Sequence, residues 1–307
     1  MFSIALHENG PAATLRGINR AESLGVPAVW LTSGTQEQMT VLAVAAAQTR
    51  SIRLGTAVVP TWLRHPLILA QQTAVIDALA PGRFTLGIGP SHEPMMRDIF
   101  GIDFKRPVTQ TREYLQILRQ SFTTGRVDFD GDFFAVHAPT APKVEVPIMV
   151  SALREASFRL GGEFADGAIA WVCPPRYLAT KARQALLRGA AEAGRAVPPL
   201  IGHVFLAVCE NDEAVRADAR ERLALYPRLP FYAKMLAEAG DAEGGSGLVS
   251  DRMIESVVIH GHEDACVENL RAFKAQSTAD QVIASLMVVG MEREAGLDAA
   301  MRVVARA

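Results

Sequence analysis

Three residues that can exchange a proton, His7, Glu8 and His92, follow predicted β-strands. His7 and Glu8 come directly after the apolar run 2–6, and His92 ends the run 82–92. Imidazole and carboxylate side chains are the usual general acids and bases of enzymes, and they also position ligands through hydrogen bonds. Both uses stay open at this point, and both predict a reactive site where the strands end.

Residues with small side chains surround the ends of the same runs. They are Thr56 and Ala57 in the third run, and Gly87, Gly89 and Ser91 in the fourth. In a parallel sheet the carboxyl ends of the strands share one face, and small residues there let a ligand approach the backbone closely. The alternative is that Gly55, Gly87 and Gly89 only relieve crowding inside a barrel wall. The first interpretation predicts a slot in which a flat ligand lies against bare main chain.

The spacing of apolar residues indicates the elements that position these side chains. Apolar runs that predict strands alternate with segments of helical periodicity, and the predicted strands are 2–6, 28–31, 52–60, 82–92, 146–150, 168–171, 200–208 and 281–288. The helices between them include 12–24, 36–50, 154–164, 175–193 and 262–275. Eight strand–helix units predict an α/β fold, a TIM (β/α)8 barrel. A doubly wound sheet would require a G-x-G-x-x-G turn after the first strand, and residues 7–11 lack it.

Two insertions interrupt the alternation, one after strand four and one after strand seven. The first, 93–146, contains a predicted helix at 109–122 and a predicted hairpin at 127–134 that turns at Asp130-Gly131. The second, 211–255, carries a glycine-rich tip at 244–247. Because both insertions follow carboxyl ends of strands, we expect them to lie over the mouth of the barrel and to shape the substrate site.

Composition excludes several classes of partner. The chain has 307 residues, 49% hydrophobic content and a mean hydropathy of +0.14, and we expect one domain, 1–307. A net charge of -2 and a pI near 6.4 create no field that would draw the protein to nucleic acid or to an anionic membrane. The three scattered cysteines and the absence of a signal-like start favour the cytoplasm. The sequence has no H-x-H pair at a predicted strand end, so it does not predict a metal site.

Five short motifs follow one another along the chain in the order found in a known family of enzymes. They are Val29-Trp30-Leu31-Thr32, Ile52-Arg53-Leu54-Gly55-Thr56, Arg64-His65-Pro66 with Ala70-Gln71-Gln72, the run from Gly82-Arg83-Phe84 to Gly89, and Gly162-Glu163-Phe164-Ala165-Asp166-Gly167. In this order the chain resembles the luciferase-like monooxygenase superfamily of flavin and deazaflavin oxidoreductases. It is most similar to the branch that uses coenzyme F420, an 8-hydroxy-5-deazaflavin. The resemblance extends from residue 1 to about residue 290.

The resemblance implies a binding site for the deazaflavin. In similar proteins the third strand carries a bulge, often with a non-prolyl cis peptide, that supports the central ring. The loops after strands four and five border the ring edge and the phosphate-bearing tail, and the exit of strand six adds contacts. A helix that opens at the Arg154 position would favour an anion there. The implied binding residues are Thr56, Ala57, His65, Gly89, Ser91, Ser151, Ala152, Leu153, Arg154, Ala170, Trp171 and Val172, and Trp62 is expected to wall the substrate side with Trp171.

One departure from the family pattern bears on the direction of the reaction. Several relatives carry an acidic or histidine pair at the exit of strand two, where this chain has Thr32, Ser33 and Gly34. Oxidation of an alcohol requires a base that removes the hydroxyl proton, whereas a reduction requires a proton donor. We therefore predict reduction of a substrate, with His92 as the leading proton source and His7 and Glu8 as the other candidates.

The predicted function is that of an F420-dependent oxidoreductase that transfers hydride from the reduced deazaflavin to a small organic substrate. Two alternatives stay open. The first is an FMN-dependent monooxygenase of the same family, and the second is a homologue that binds a flavin or deazaflavin without turnover. The resemblance also implies a homodimer.

Overall fold

The computed structural model describes residues 1–7, 9–34 and 36–307. The predicted proton donor Glu8 lies outside the described residues. Strands and helices alternate along most of the chain. In order they are β1 (Phe2–Leu6), α1 (Pro11–Ser23), β2 (Ala28–Leu31), α2 (Gln38–Gln48), β3 (Arg53–Thr56), β4 (Val59–Pro60), α3 (Pro66–Leu79), β5 (Phe84–Gly89), α4 (Glu93–Phe100), α5 (Pro107–Thr124), β6 (Arg126–Asp130), β7 (Ala135–Pro139), β8 (Ile148–Ser151), α6 (Glu155–Phe164), β9 (Gly167–Ile169), α7 (Pro175–Tyr177), α8 (Arg183–Glu192), β10 (Leu200–Val208), α9 (Asp212–Leu223), α10 (Pro230–Glu238), α11 (Ala242–Gly245), α12 (Asp251–Val257), β11 (Val258–Gly261), α13 (Glu263–Ser277), β12 (Gln281–Met287) and α14 (Arg293–Arg306).

Local sequence explains where several helices begin and end. Pro66 stands in the first turn of α3, where its missing N–H and fixed φ cost nothing. Gly101 and Gly125 end α4 and α5 in the left-handed conformation, with φ of 66° and 72°. A π turn, Leu178–Ala182, joins α7 to α8, so that the predicted helix 175–193 is one helical segment with a local irregularity.

In the described part of the chain, eight parallel strands close a barrel. The order is β1, β2, β3, β5, β8, β9, β10 and β12, and β12 pairs back to β1 with Phe2 opposite Val282. The helices pack around this barrel, and the closed parallel arrangement confirms the predicted TIM barrel. Two further strands extend the sheet, since β4 pairs with the end of β5 and β11 pairs with the carboxyl half of β10.

Large side chains fill the lower part of the barrel interior. Trp30 and Ile201 belong to a buried cluster there, together with Ala5, Met149, Ile169 and Ile283. A Cβ at Gly55 would lie 2.5 Å from the Trp30 ring, so the glycine is required by the tryptophan that packs against it. Crowding relief, one of the two interpretations of the glycines, is therefore what the structure shows at Gly55. Ala57, Val58 and Trp171 pack on this cluster, which forms a floor beneath the carboxyl ends of the strands.

The turn of the hairpin in the first insertion lies further along the chain than predicted. Its strands are β6 and β7, and Asp130 pairs with Ala135, so the turn is 131–134 rather than Asp130-Gly131. The reason is Glu113 on α5, whose buried carboxylate accepts hydrogen bonds from the N–H groups of Asp132, Phe133 and Phe134. A tertiary contact thus selects the four-residue loop over the tighter turn that the dipeptide favours.

Other boundaries also differ from the prediction. Helix α4 stands at the start of the first insertion. Strand β11 follows α12 directly, between the second insertion and the predicted helix 262–275, where no strand was predicted. The glycine-rich tip is helical in part, because the Asp241 carboxylate caps α11 by accepting the N–H of Gly244 at 2.9 Å. In the described residues no helix is both long enough and apolar enough to span a membrane.

Candidate active site

A cavity of about 590 Å³ opens at the carboxyl ends of the barrel strands. Each of the eight barrel strands, or the loop that directly follows it, contributes to its lining. From β1 to β12 the lining includes His7, Thr32, Ala57, Ser91, Ser151, Trp171, Phe205 and Ser285. This volume is typical of sites that enclose a small-molecule ligand or a cofactor. The position is the one at which TIM barrels carry their active sites.

Part of the predicted cofactor set borders this cavity. The predicted binding residues that line it are Ala57, Ser91, Ser151, Ala152, Leu153, Arg154 and Trp171. The peptide bond between Ala57 and Val58 is cis, as the resemblance implied for this position. Ser91 has a positive φ of 64°, which turns the chain away from β5 and into the cavity wall.

Five of the predicted binding residues lie outside the lining of this cavity. Ala170 and Val172 are fully buried in the main core, because their side chains point away from the barrel axis, to the opposite side from Trp171. His65 caps α3 by accepting the N–H of Leu67 at 3.3 Å. The remaining two are Thr56 and Gly89.

Thr56 and Gly89 hold the wall together rather than border the cavity. The Thr56 hydroxyl donates to the carbonyl of Gly87 and accepts from its N–H, both at 2.8 Å, so that it ties β3 to β5. A Cβ at Gly89 would lie 2.0 Å from the Ser151 hydroxyl oxygen. The glycine therefore gives Ser151 the space to reach the cavity.

Trp62 also differs from its expected placement on the substrate side. Its ring packs against Phe104 and Phe133, with centroids 5.5 and 5.7 Å apart, and it does not line the cavity. Phe104 does line the cavity, so Trp62 supports the wall from behind.

Arg154 combines an ion pair with a free donor. One guanidinium nitrogen, Nη2, donates to Glu238 at 2.8 Å, whereas Nη1 is buried without a partner among the described residues. The Ser157 hydroxyl accepts the N–H groups of Leu153 and Arg154, and this arrangement fixes the first turn of α6. A buried guanidinium N–H with no acceptor is unfavourable, so an acceptor on an anionic ligand group would stabilise it.

Two of the predicted proton donors line the cavity. His92 is the residue that precedes α4, and its ring lies 5.8 Å from the ring of Tyr232, centroid to centroid. Burial lowers the pKa of His92 below its ordinary value of 6.5. The Nδ1 atom of His7 lies 3.4 Å from the Thr32 hydroxyl at the exit of β2. The structure thus brings His7, Thr32 and His92 to one cavity.

Sequence reasoning missed a stacked pair in the cavity wall. The ring of Trp171 stacks on His203 with centroids 3.5 Å apart and an angle of 15°. His203 is fully buried, its Nε2 lies 2.8 Å from the Ser285 hydroxyl, and burial lowers its pKa to about 3, so the imidazole is neutral. The one available signal was a single polar residue inside the otherwise apolar run 200–208.

The insertions complete the cavity. Residues 222–238, called the cover segment below, run from the end of α9 through α10. The cover segment reaches three strand exits, since Tyr226 accepts a hydrogen bond from Trp171, Tyr232 packs near His92 and Glu238 pairs with Arg154. From the first insertion, Met95 and Phe104 line the same cavity, whereas the hairpin β6–β7 does not.

Comparison with known proteins decides the family. Residues 2–281 match the family described as luciferase-like monooxygenase. The chain belongs to the luciferase-like monooxygenase family. This membership confirms the resemblance found in the motifs, and it confirms that the chain is an enzyme.

Within this family the chain is similar to proteins with different cofactors. It is 26% identical over 268 residues to the 5,10-methylenetetrahydromethanopterin reductase of Methanolobus tindarius, with 80% of this chain and 82% of the relative covered. The structure of an F420-dependent secondary alcohol dehydrogenase in complex with an F420-acetone adduct matches with a TM-score of 0.81 and 20% identity, over 100% of this chain and 99% of that one. The FMN complex of the oxygenating constituent of 3,6-diketocamphane monooxygenase from Pseudomonas putida matches with a TM-score of 0.76 and 17% identity. This match covers 99% of this chain and 96% of that one. At these identities the two structures show the shared barrel.

Proposed function

We propose that the protein is an F420-dependent oxidoreductase that reduces a small organic substrate by hydride transfer. The observation that carries the proposal is the cavity at the strand exits, where Ala57 and Ala152 present small side chains and Arg154 has a donor without a partner among the described residues. The similarity to F420-dependent relatives supports the choice of cofactor.

The residues present fit a flat ring with an anionic tail. Ala57, Ser91 and Ala152 would contact the ring, because none of them projects more than a short side chain into the cavity. Arg154 would bind an acidic group of the tail through Nη1. A reduced deazaflavin supplies two electrons as hydride and reacts little with oxygen. The chain's own contribution is to orient the bound molecules, to exclude water and to hold a proton near the substrate.

The lining favours reduction over alcohol oxidation. Among the described lining residues the one carboxylate is Glu93, whose side chain is largely exposed and pairs with Arg97 at 3.3 Å. Thr32 and Ser33 at the exit of β2 are weak bases. A carboxylate base at the exit of β2 is therefore missing from the described lining. The imidazoles of His92 and His7 can accept or donate a proton, so the preference for reduction rests on the absence of that carboxylate.

The test is an anaerobic absorbance titration of the protein with reduced F420 and, separately, with reduced FMN. We expect a saturable spectral change with F420 at lower concentration than with FMN. Activated alkenes, imines and quinones are then screened for reoxidation of the bound cofactor. Tighter binding of reduced FMN would overturn the choice of cofactor, and binding without reoxidation by any compound would favour the homologue that does not turn over.

The second candidate is an FMN-dependent monooxygenase. The likeness of the whole fold to an FMN-containing oxygenase supports it. It predicts oxygen consumption in the presence of reduced FMN and an organic substrate, which the F420-dependent reaction does not require.

We expect the pH dependence of the reaction to report on His92. Because burial lowers the His92 pKa below 6.5, a reaction that needs its protonated form loses rate as pH rises through a value below 6.5. His92→Ala should remove this decline and reduce kcat/KM about tenfold, since water can carry the proton in place of the imidazole. His7→Ala, the same change at the other described candidate donor, should keep the decline if His92 is the donor. An unchanged pH profile in His92→Ala, with normal cofactor binding, would exclude His92 as the donor.

We further propose a homodimer that forms through helices α2 and α3. These helices pack on each other, and their outer surface exposes the apolar side chains of Val44, Ile68, Val75 and Leu79. Ile68→Glu combined with Val75→Glu should convert a dimer to a monomer in light scattering, because charges would replace apolar contacts. Leu187→Glu, a change at an exposed apolar residue on α8, should leave the mass unchanged. A monomeric wild-type protein would contradict the proposal.

A further inference from the structure

The hydroxyl of Tyr226 accepts a hydrogen bond, but its own proton is not donated to any described residue. A phenol carries one proton and two lone pairs, whereas an indole N–H only donates. The Trp171 indole N–H donates to the Tyr226 oxygen at 2.9 Å, so the oxygen acts as the acceptor in this contact. Among the described residues no acceptor is placed to receive the phenol's own proton. Because Tyr226 lines the cavity, a ligand there can receive it.

The surroundings hold Tyr226 in this role. Trp171 is fixed by its stack on the buried His203, so the indole N–H keeps its direction toward the tyrosine. The Tyr232 ring packs against Tyr226 with centroids 5.0 Å apart. Burial raises the pKa of Tyr226, an effect that the Trp171 hydrogen bond offsets only in part. The hydroxyl thus stays protonated and remains a donor at neutral pH.

Large apolar side chains line the same cavity as this donor. The cover segment contributes Leu225, Leu229 and Phe231, and Met95 and Phe104 come from the first insertion. Leu225 and Phe231 are 50% and 53% exposed, which is high for large apolar residues that border a cavity. A largely apolar lining near the Tyr226 hydroxyl favours an apolar ligand that carries a polar atom.

The side chains of the described lining that carry a fixed charge are already paired, and one of them, Arg154, keeps a donor without a partner. Glu93 pairs with Arg97, and the Arg222 Nε donates to Asp218 at 2.5 Å. In the described lining the remaining charged donor is Nη1 of Arg154, which the proposed function assigns to the cofactor tail. A second charged group, on the substrate, would be desolvated without a counter-charge.

We propose that the part of the cavity under the cover segment binds an uncharged, largely apolar substrate with a carbonyl-type oxygen, and that the Tyr226 hydroxyl donates a hydrogen bond to this oxygen. The inference rests on the proposed function and adds the class of substrate to it. Tyr226 thereby becomes a substrate-binding residue supplied by an insertion, and Trp171 positions it.

Binding of three simple probes tests this proposal. The probes are cyclohexenone, cyclohexene, which lacks the oxygen, and cyclohexanecarboxylate, which is charged. Their affinities are measured by ligand-observed NMR, first with the protein alone and then with oxidised F420 present. We expect cyclohexenone to bind at least about fivefold more tightly than either of the others, because only it satisfies the free donor without burying a charge.

Variants then assign the effect to one hydroxyl. Tyr226→Phe should weaken cyclohexenone binding about five- to tenfold and leave cyclohexene binding unchanged. Tyr232→Phe removes the other tyrosine hydroxyl of the cover segment that lines the cavity, which also has no hydrogen-bond partner among the described residues, and it should reduce the cyclohexenone affinity less than Tyr226→Phe does. Trp171→Phe should give an intermediate loss, because the tyrosine hydroxyl is then free to turn. Thermal denaturation checks that each variant is folded.

Three results would overturn the inference: equal binding of the three probes, unchanged cyclohexenone affinity in Tyr226→Phe, or a larger loss in Tyr232→Phe. The F420 titration is a separate measurement, which follows the absorbance of the cofactor. Failure of the cofactor to bind would therefore refute the proposed function, and the probe series would still decide the class of ligand.

Discussion

Replacement of Arg154 by alanine should weaken the binding of reduced F420 about thirty- to a hundredfold at low ionic strength. A charge-assisted hydrogen bond from a guanidinium to an anionic group contributes roughly 2–3 kcal/mol, and each 1.4 kcal/mol is a factor of ten in affinity. Nη1 of Arg154 is buried and without a partner among the described residues, so little of this energy is spent on an existing contact. Added salt should reduce the wild-type affinity more than that of the variant, since screening acts on the charge that the variant lacks.

The ion pair of Arg154 with Glu238 provides the control. Glu238→Gln removes the carboxylate that anchors the cover segment but keeps the arginine. If Arg154 binds the cofactor directly, this variant should retain the wild-type affinity or exceed it, because the guanidinium loses a competing anion. If Glu238→Gln weakens binding as much as Arg154→Ala does, then Arg154 acts by holding the cover segment. Arg154→Lys should recover only part of the loss, because an ammonium lacks the planar donor geometry.

The sequence was sufficient to predict the barrel and the face on which its cavity opens. The apolar run 200–208 coincides with β10, and β1 and β2 also have the predicted bounds. These strands are buried along their whole length, so hydrophobicity alone delimits them. The loops that follow parallel strands must share one end of the barrel, and this geometry is why His7, Ser91 and Ser151 line one cavity.

The direction of individual side chains could not be predicted with the same precision. Neighbouring residues of a strand point to opposite faces, so a motif that locates a strand exit does not say which member of it enters the cavity. At the exit of β9, Trp171 lines the cavity, whereas Ala170 and Val172 point into the core. At the exit of β3 the same alternation separates Ala57 from Thr56.

The cover segment was beyond sequence reasoning for a different reason. Tyr226 is 55 residues from Trp171 along the chain, and their hydrogen bond depends on how the second insertion folds back over the barrel. The insertion was predicted to lie over the mouth, but its polarity pattern did not indicate which side chains point inward. A tertiary contact of this kind leaves no local periodicity.

The second large effect concerns the floor beneath the cavity. Trp30→Ala should lower the free energy of unfolding by about 3–5 kcal/mol, the usual cost of removing a large buried aromatic side chain. Trp30 is 3% exposed, its indole N–H donates to the Ser3 hydroxyl at 3.1 Å, and its ring occupies the space that Gly55 leaves open. The strands cannot move inward to fill the gap, because the closed barrel fixes their spacing. Chemical denaturation with an unchanged m-value would measure the loss.

Trp62→Ala is the matched control, because the same side chain is removed from a different environment. Trp62 is only half-buried and packs on Phe104 and Phe133 outside the barrel, so its loss should cost clearly less than that of Trp30. Trp30→Phe should fall between the two, since one six-membered ring is retained, while part of the indole volume and the hydrogen bond to Ser3 are lost. Since Ala57 and Trp171 rest on the Trp30 cluster, Trp30→Ala should also weaken cofactor binding. An equal loss of unfolding free energy in Trp30→Ala and Trp62→Ala would contradict this prediction. It would mean that the Trp30 cluster contributes no more to stability than the packing of Trp62 outside the barrel.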